Sequence, residues 1–313
     1  METETRAIEY RIKICSNKAV YKQDTFAVSF DASTPTERSS GANSFAGVDR
    51  NGFAASMSVV QLHTLKSIPQ HPQRSKEWFE QRKDKLTSSD AGTVLGLNPY
   101  QTAVEVLFKK CGAGPEFTGN VATLHGQKYE EEAIQMYCKV MGKRNHDFGL
   151  IDFDAVHRPN DTHSHEKYPN GIRWLAGSTD GVAEDVDGIE PLILLEVKCP
   201  YRRKIVHGKC PDYYYPQVQL NMAILNLEKA DFIEYKPSTN VNEQPIMNIV
   251  RIQRDRNWFE TNIVVLEEFW NSVLSWRTQD ITEHPDYYKY HRKDPINIKP
   301  SLFIDTVSDV EAA

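Results

Sequence analysis

The chain has no apolar run that could cross a bilayer. Its longest, such as Leu192 to Leu195, extend only a few residues, against the roughly 18 that a span requires. It has no apolar stretch behind its N-terminus either: Met1 to Lys13 is charged throughout, which excludes a secretory signal and sets the expectation of a non-secreted protein with no membrane partner. Cysteine is scarce and scattered. The five residues Cys15, Cys111, Cys138, Cys199 and Cys210 form no CxxC pair, which excludes a disulfide framework and an all-cysteine zinc site. A reducing intracellular compartment is the expected setting. Basic charge is not in surplus: the formal net charge is -6, which argues against holding nucleic acid by bulk charge. That balance still admits a nuclease, whose acidic metal ligands lower the total while basic groups gather locally. No repeat of solenoid period is present.

What is present is ordinary soluble composition, 40% hydrophobic and 26% charged, in 313 residues that suffice for one or two domains with a real core. Three stretches differ in texture. Residues 1–72 read as an N-terminal arm and low-complexity linker, partly disordered, with Asp31 to Ser58 rich in small polar residues. Within the arm, Thr25 to Phe30 alternates as a strand does. Residues 73–282 are dense and periodic, and residues 283–313 form an irregular tail. The periodicity predicts helices from Ser75 to Lys85, from Thr87 to near Gly96, over Thr102 to Cys111 and over Ala122 to Met141. Strands follow at Gly149 to Phe153, Trp174 to Ala176, Gly181 to Val186 and Leu192 to Lys198. A helix at Asp212 to Leu227, strands at Ala230 to Tyr235 and Ile246 to Ile252, and a long amphipathic helix at Asp255 to Trp276 complete the pattern. This order predicts an α/β domain with a mixed central β-sheet flanked by helices.

The chemistry concentrates in Gly177-Ser178-Thr179-Asp180-Gly181 and, 15 residues on, Leu195-Glu196-Val197-Lys198. Glu196 and Lys198 project to one face of a strand, roughly 7 Å apart by strand rise. If the two strands pair as a hairpin, Asp180 and Glu196 converge at one end. Two carboxylates and a backbone carbonyl are hard oxygen ligands suited to Mg²⁺ or Mn²⁺. A lysine beside them favours a hydroxide-like nucleophile and neutralises charge in a phosphodiester transition state. A Glu-x-Lys on a strand is commonly a solvated sheet face. Here it follows four straight apolar residues, which makes a buried strand the better reading. Glu130 lies at the edge of the apolar stripe of its helix, where it is either an exposed charge or a further ligand. Lys109-Lys110 and Lys143-Arg144 read as surface charge, Trp78 as core, and Cys199 as a packing residue. Asp161, His163 and His165 sit in a polar loop and are at most a compositional hint of a metal clip.

Five segments in this order resemble the PD-(D/E)xK nuclease superfamily and, within it, the lambda-exonuclease-like, YqaJ-type viral recombinase family. They are Trp78-Phe79-Glu80-Gln81-Arg82 with Leu86-Thr87-Ser88-Ser89; His125 to Glu130; Gly177 to Gly181; Leu195 to Pro200; and Tyr215-Pro216-Gln217-Val218-Gln219. Together they span about Arg74 to Pro237. The family's usual Ser-Pro-Asp-Gly stands here as Ser178-Thr179-Asp180-Gly181. Arg202 to Ile205 and Asp231 to Tyr235 look most like the versions carried by large DNA viruses of eukaryotes, which would place the protein in a host nucleus or cytoplasm.

The resemblance implies a restriction-endonuclease-like core and a Mg²⁺-dependent 5′-to-3′ exodeoxyribonuclease acting on duplex DNA ends that bear a 5′-phosphate, leaving 3′ single-stranded tails for recombination or repair. It implies that Asp180, Glu196, the Val197 carbonyl and Glu130 bind the metal and that Lys198 activates the attacking water. Arg82 and Ser89 match positions that hold the 5′-phosphate. Gln217 and Gln219 match the helix beside the metal, where Gln219 could orient the water and where a plain buried amide is an equal reading. Arg202 and Arg203 could track the DNA backbone or form a solvated basic loop. A single-strand annealing protein as partner and a ring-shaped homotrimer are implied by relatives alone. Two other readings stay open: an endonuclease on DNA or RNA using the same metal site, and an inactive DNA-binding or assembly module on the nuclease fold.

Overall fold

The computed structural model describes residues 12–14, 23–28, 50–114, 119–157, 171–187, 190–238, 240 and 244–291, with side chains from Ser58 onward. Asp161, His163 and His165 lie outside the described residues. A seven-stranded sheet carries the domain. Its spatial order is β1 (Ile12–Ile14), β2 (Gln23–Val28), β10 (Ile246–Gln253), β9 (Lys229–Lys236), β8 (Ile193–Lys198), β7 (Gly181–Asp185) and β4 (Lys143–His146). Only β8 and β9 pair in parallel; every other pair in this sheet is antiparallel. A smaller three-stranded sheet orders β3 (Leu86–Thr87), β6 (Leu175–Gly177) and β5 (Ile151–Asp152) and is mixed as well. The expectation of a mixed central sheet flanked by helices is met.

Strands buried on both faces read as continuous apolar runs, and β8 does so because alternate residues enter two different cores. Ile193, Leu195 and Val197 face a core built with Ala133, Ile134 and Tyr137 of a long helix, α5 (Val121–Met141). Leu192 and Leu194 face the other and larger core. There they meet Val218 and Met222 of α7 (Tyr215–Ile224), the crossover between β8 and β9, and Phe259 and Trp270 of α8 (Arg256–Arg277). Short helices α2 (Lys76–Lys83), α3 (Ser88–Val94) and α4 (Ala103–Lys110) cover the end nearest β3. Ser75 caps α2 by accepting from the Trp78 N–H at 3.1 Å, and Thr102 caps α4 in a reciprocal capping box with Glu105.

Several sequence expectations are corrected. A helix, α1 (Arg50–Ser67), runs inside the stretch read as arm and linker, and its Leu62 and Leu65 are buried in the larger core. The small residues of its first half conceal the apolar spacing of its second. At the other end, α9 (Tyr287–His291) enters the stretch read as irregular tail, and its Tyr287 and Tyr290 pack on the same core beside Phe108. A short helix, α6 (Phe153–His157), follows β5 where a strand to Phe153 was expected. Strand β4 was not anticipated, because Lys143-Arg144-Asn145-His146 carries no apolar alternation. It is recruited by pairing with β7, and Lys143 is buried between Asp185 (3.0 Å) and Glu190 (2.6 Å). Lys110 is likewise not surface charge. It is buried against Asp90 and the Arg82 carbonyl, each at 3.0 Å.

One polar staple pins α5 to the sheet. The Tyr137 hydroxyl donates to the Asp231 carboxylate at 2.6 Å, and Arg251 closes the pair from β10 at 2.9 Å, with Asp231 fully buried. Removing Asp231 takes the acceptor from the buried Tyr137 hydroxyl and the carboxylate from Arg251. Asp231→Ala is expected to cost about 3–5 kcal/mol of unfolding free energy and Tyr137→Phe about 1, read by urea denaturation.

Candidate active site

The site forms where β7 and β8 separate. Register pairs Gly181 with Leu195, so Asp180 lies one residue beyond the end of β7, opposite the start of Glu196-Val197-Lys198. Two bonds hold it there. The Thr179 hydroxyl bonds the Leu195 carbonyl at 2.7 Å, and the Asp180 carboxylate accepts the Val197 N–H at 2.6 Å. The hairpin expected from sequence therefore exists, and it brings Asp180 to the Glu196 strand. The metal ligand implied at Val197 is its carbonyl; its N–H is what bonds Asp180, and its side chain belongs to the core under α5.

Glu196 is fully buried and points at α7. Its carboxylate accepts from Lys198 Nζ, from Gln217 Nε2 at 2.6 Å and from Asn221 Nδ2 at 3.2 Å. Burial, opposed by Lys198 and reinforced by the Asp180 charge, pushes its carboxyl up to about 7. Burial alone would release the Lys198 proton, yet Glu196 and Asp180 outweigh it and hold the ammonium far above the ordinary lysine value. Lys198 also stands 5.2 Å from the centre of the Tyr214 ring. Beside it Cys199 is no nucleophile: burial, then the Glu130 charge, push its thiol up to about 12.

The two glutamines of α7 part company. Gln217 reaches Glu196, but Gln219 donates to the Gln253 carbonyl at 2.9 Å and accepts the Asp255 N–H at 2.8 Å. Two residues along a helix turn about 200°, so both cannot face one site. Gln219 ties α7 to the end of β10, which corrects its reading as a group that orients water. Asn221, four residues after Gln217, is the one sequence reasoning missed, and the i, i+4 spacing was the available signal. Its amide bridges Glu196 and the Ser178 carbonyl, both at 3.2 Å.

Glu130 reaches the same neighbourhood from α5. Burial and then the nearby Asp180 charge raise its carboxyl, while Arg74 counters with contacts of 2.9 and 3.1 Å to its two oxygens. Arg74 has a left-handed backbone, φ 68°, an unusual state for a bulky residue and one that favours functional positions. Its neighbour Gln73 donates to the carbonyls of Phe148 (2.9 Å) and Thr179 (2.8 Å), joining this segment to the Asp180 turn. A cleft of about 440 Å³ opens between Arg74, Glu130, Asp147 and Asp180. Among the described residues no three His, Cys, Asp or Glu side chains stand close enough to hold a metal by themselves. The donor chemistry nonetheless fits one. Asp180 raises the carboxyls of both Glu130 and Glu196, so three hard oxygen groups share one field that a small divalent cation would relieve, with water and main-chain oxygen filling its shell.

A second polar cluster is tied to this one through the bond between Trp78 and Ser178. Arg82 lies 4.3 Å from the centre of the Trp78 ring and donates to Ser89 at 2.9 Å and Thr87 at 3.2 Å. Trp78 is buried as expected, and its indole N–H donates to Ser178 Oγ at 3.0 Å. Behind them Asp90 is held well below the usual carboxylate range. Burial would raise it, but Lys110, Lys109 and Arg82 prevail. The structure thus brings Arg82 and Ser89 together. It separates the loop arginines: Arg203 pairs with the fully buried Glu234, and Arg202 stays exposed beside Tyr201.

Residues 77–229 are matched by the model of the YqaJ-like viral recombinase domain, close to the stretch on which the sequence resemblance rests. The uncharacterized protein R354 of Acanthamoeba polyphaga mimivirus is 31% identical over 188 residues, covering 56% of this chain and 31% of the relative. Protein D345L of African swine fever virus is 28% identical over 181 residues, covering 52% of this chain and 48% of the relative. The chain therefore spans a third to a half of the length of these curated relatives. Among solved structures, the alkaline exonuclease LHK-Exo of Laribacter hongkongensis aligns over 65% of this chain and 95% of its own, at 24% identity and a TM-score of 0.49. A phage related exonuclease from Haemophilus somnus aligns over 64% and 96%, at 17% identity and a TM-score of 0.42. No described helix is long and apolar enough to cross a membrane.

Two outcomes test this geometry. Between the ordinary glutamate value of 4.5 and about 7, only the folded chain keeps the Glu196 proton. Its contribution to stability therefore declines as pH rises through that window, and in Glu196→Gln the melting temperature should lose that part of its pH slope. A Cβ at Gly177 would stand 2.3 Å from Asn221 Oδ1. Gly177→Ala should therefore displace Asn221 from Glu196 and cost about 1–3 kcal/mol in denaturant titration.

Proposed function

We propose that this YqaJ-like domain is a Mg²⁺-dependent deoxyribonuclease that hydrolyses one strand of linear duplex DNA from a 5′-phosphorylated end. The observation that carries the reading is the contact of Lys198 with the buried Glu196, with Asp180 beside it and the Arg82–Ser89 cluster linked through Trp78 and Ser178. A buried strand bearing an acid and a base in contact is not a solvated sheet face.

Asp180 and Glu196 would hold the cation, with the Val197 carbonyl and Glu130 as further donors. When bound, Mg²⁺ would supply charge to polarise the scissile phosphate and a water acidified for attack. Lys198, kept protonated by its two carboxylates, orients that water and offsets charge that develops on the phosphate oxygens. Gln217 and Asn221 lock the Glu196 carboxylate in one rotamer from α7. Arg82 offers a planar fork to the terminal phosphate, and the exposed hydroxyl of Ser89 stands beside it, while the buried Thr87 hydroxyl, which donates to Asp90, holds Arg82 from beneath. A site that grips a terminal phosphate next to its hydrolytic centre favours cutting from ends, and it leaves a 3′ tail suited to a strand-annealing partner.

Linear duplex DNA with 5′-phosphates and a covalently closed circle, each given with Mg²⁺, test the reading. Nucleotide release from the linear DNA alone is expected, falling by roughly 10²- to 10⁴-fold in Lys198→Ala. Arg82→Ala should erase the preference for 5′-phosphate over 5′-hydroxyl ends. Cutting of the circle would turn the reading to an endonuclease, and no cutting of either would overturn the catalytic assignment.

A further inference from the structure

Next to Tyr214, whose ring lies 5.2 Å from Lys198, is an opening of about 550 Å³ that the reaction as described does not use. Its walls come from the start of α5, the loop after β8 and the entry to α7, with Tyr100, Tyr201, Tyr213 and Tyr214 among its lining. Tyr214 joins it to the active site, because Lys198 lies over that ring.

Two of these rings are displayed, not buried. Tyr100 is 75% exposed and Tyr201 45% exposed. Both are braced by other rings: Tyr100 meets Tyr213 edge-on at 6.0 Å, and Tyr201 leans on His125 at 5.2 Å. Arg202 caps Tyr201 at 5.5 Å and has no carboxylate partner among the described residues. Arg203, held by the buried Glu234, sets a second positive charge in the wall. Exposed aromatic faces interleaved with arginine are what single-stranded nucleic acid requires: a flat surface for the base and a cation for the phosphate. At about 550 Å³ the opening has room for a flat ring with its sugar.

We propose that this cleft is a base-stacking subsite that takes an unpaired nucleobase of the DNA strand next to the scissile phosphate, on the faces of Tyr100 and Tyr201, with Arg202 on the adjoining phosphate. The inference rests on the nuclease reading and deepens it. It gives the protein a means to hold the end of a duplex open, because a base stacked on tyrosine is withdrawn from its partner strand.

The test uses the full chain with Ca²⁺ in place of Mg²⁺ and a 5′-phosphorylated duplex carrying 2-aminopurine at the first, second or third nucleotide. Anisotropy reports DNA binding in the same samples. Quenching at one position beyond that of free DNA is expected, lost in the Tyr100→Ala, Tyr201→Ala double variant and retained in the corresponding Phe variant. An abasic nucleotide at that position should weaken binding about tenfold in the wild type and leave the Ala variant's affinity unchanged. Binding without quenching, or equal quenching in the Ala variant, overturns the subsite and leaves the nuclease reading standing. No binding of DNA by the wild type overturns both.

Discussion

The burial of one carboxylate organises this molecule. Glu196 sits with no solvent exposure on a strand whose apolar residues are all core, a placement that only dense compensation permits. The compensation comes from three directions: Lys198 along the strand, and Gln217 and Asn221 across from α7. The position of α7 is therefore a requirement of the site as well as of the core. The same helix makes the crossover that sets β8 parallel to β9, so topology and chemistry share one element. Asp180 then follows from register, because the turn that leads into β7 is tied to β8 through Thr179 and the Val197 N–H.

Charge is distributed around that centre in a consistent way. The acidic side, with Asp180 and Glu130, is balanced by Arg74 and Lys198. On the other side the buried Asp90 is the counter-ion of Lys110 and lies close to Arg82. A net charge of -6 thus coexists with cations held in place, because some of the negative groups are buried as their counter-ions. Arg203 over Glu234 repeats the arrangement. Such pairs add little net stability relative to apolar packing, but each fixes the direction of a cation. Direction is what a phosphate site needs.

Much of this was legible from residue order. The helices that begin at Ser75, Thr87 and Thr102 announce themselves by capping residues, and the observed caps are those residues. The run from Leu192 to Leu195 read as a buried strand, and the change to Glu196 and Lys198 at its end marked the site. Other elements left no such trace. The strand at Lys143–His146 is polar and exists because β7 offers it an edge. Among its described side chains, the helix at Arg50–Ser67 buries just two large apolar ones, Leu62 and Leu65. Lys110 and Lys143 look like surface charge in any local window, and both are buried because an acid from a distant segment meets them.

The sequence by itself determined which chemistry was available: two carboxylates, a lysine and an arginine–serine pair on elements of definite type, since periodicity and capping are local properties of the chain. The tertiary structure decided which of these groups share a site. Helical rotation turned Gln219 away and Asn221 inward, and packing sent Arg203 to Glu234 while leaving Arg202 exposed beside Tyr201. It also gathered four tyrosines from three segments into one cleft beside Lys198. Such contacts join residues far apart in the chain, so they are set by the register of strands and the docking of helices, which no local pattern encodes.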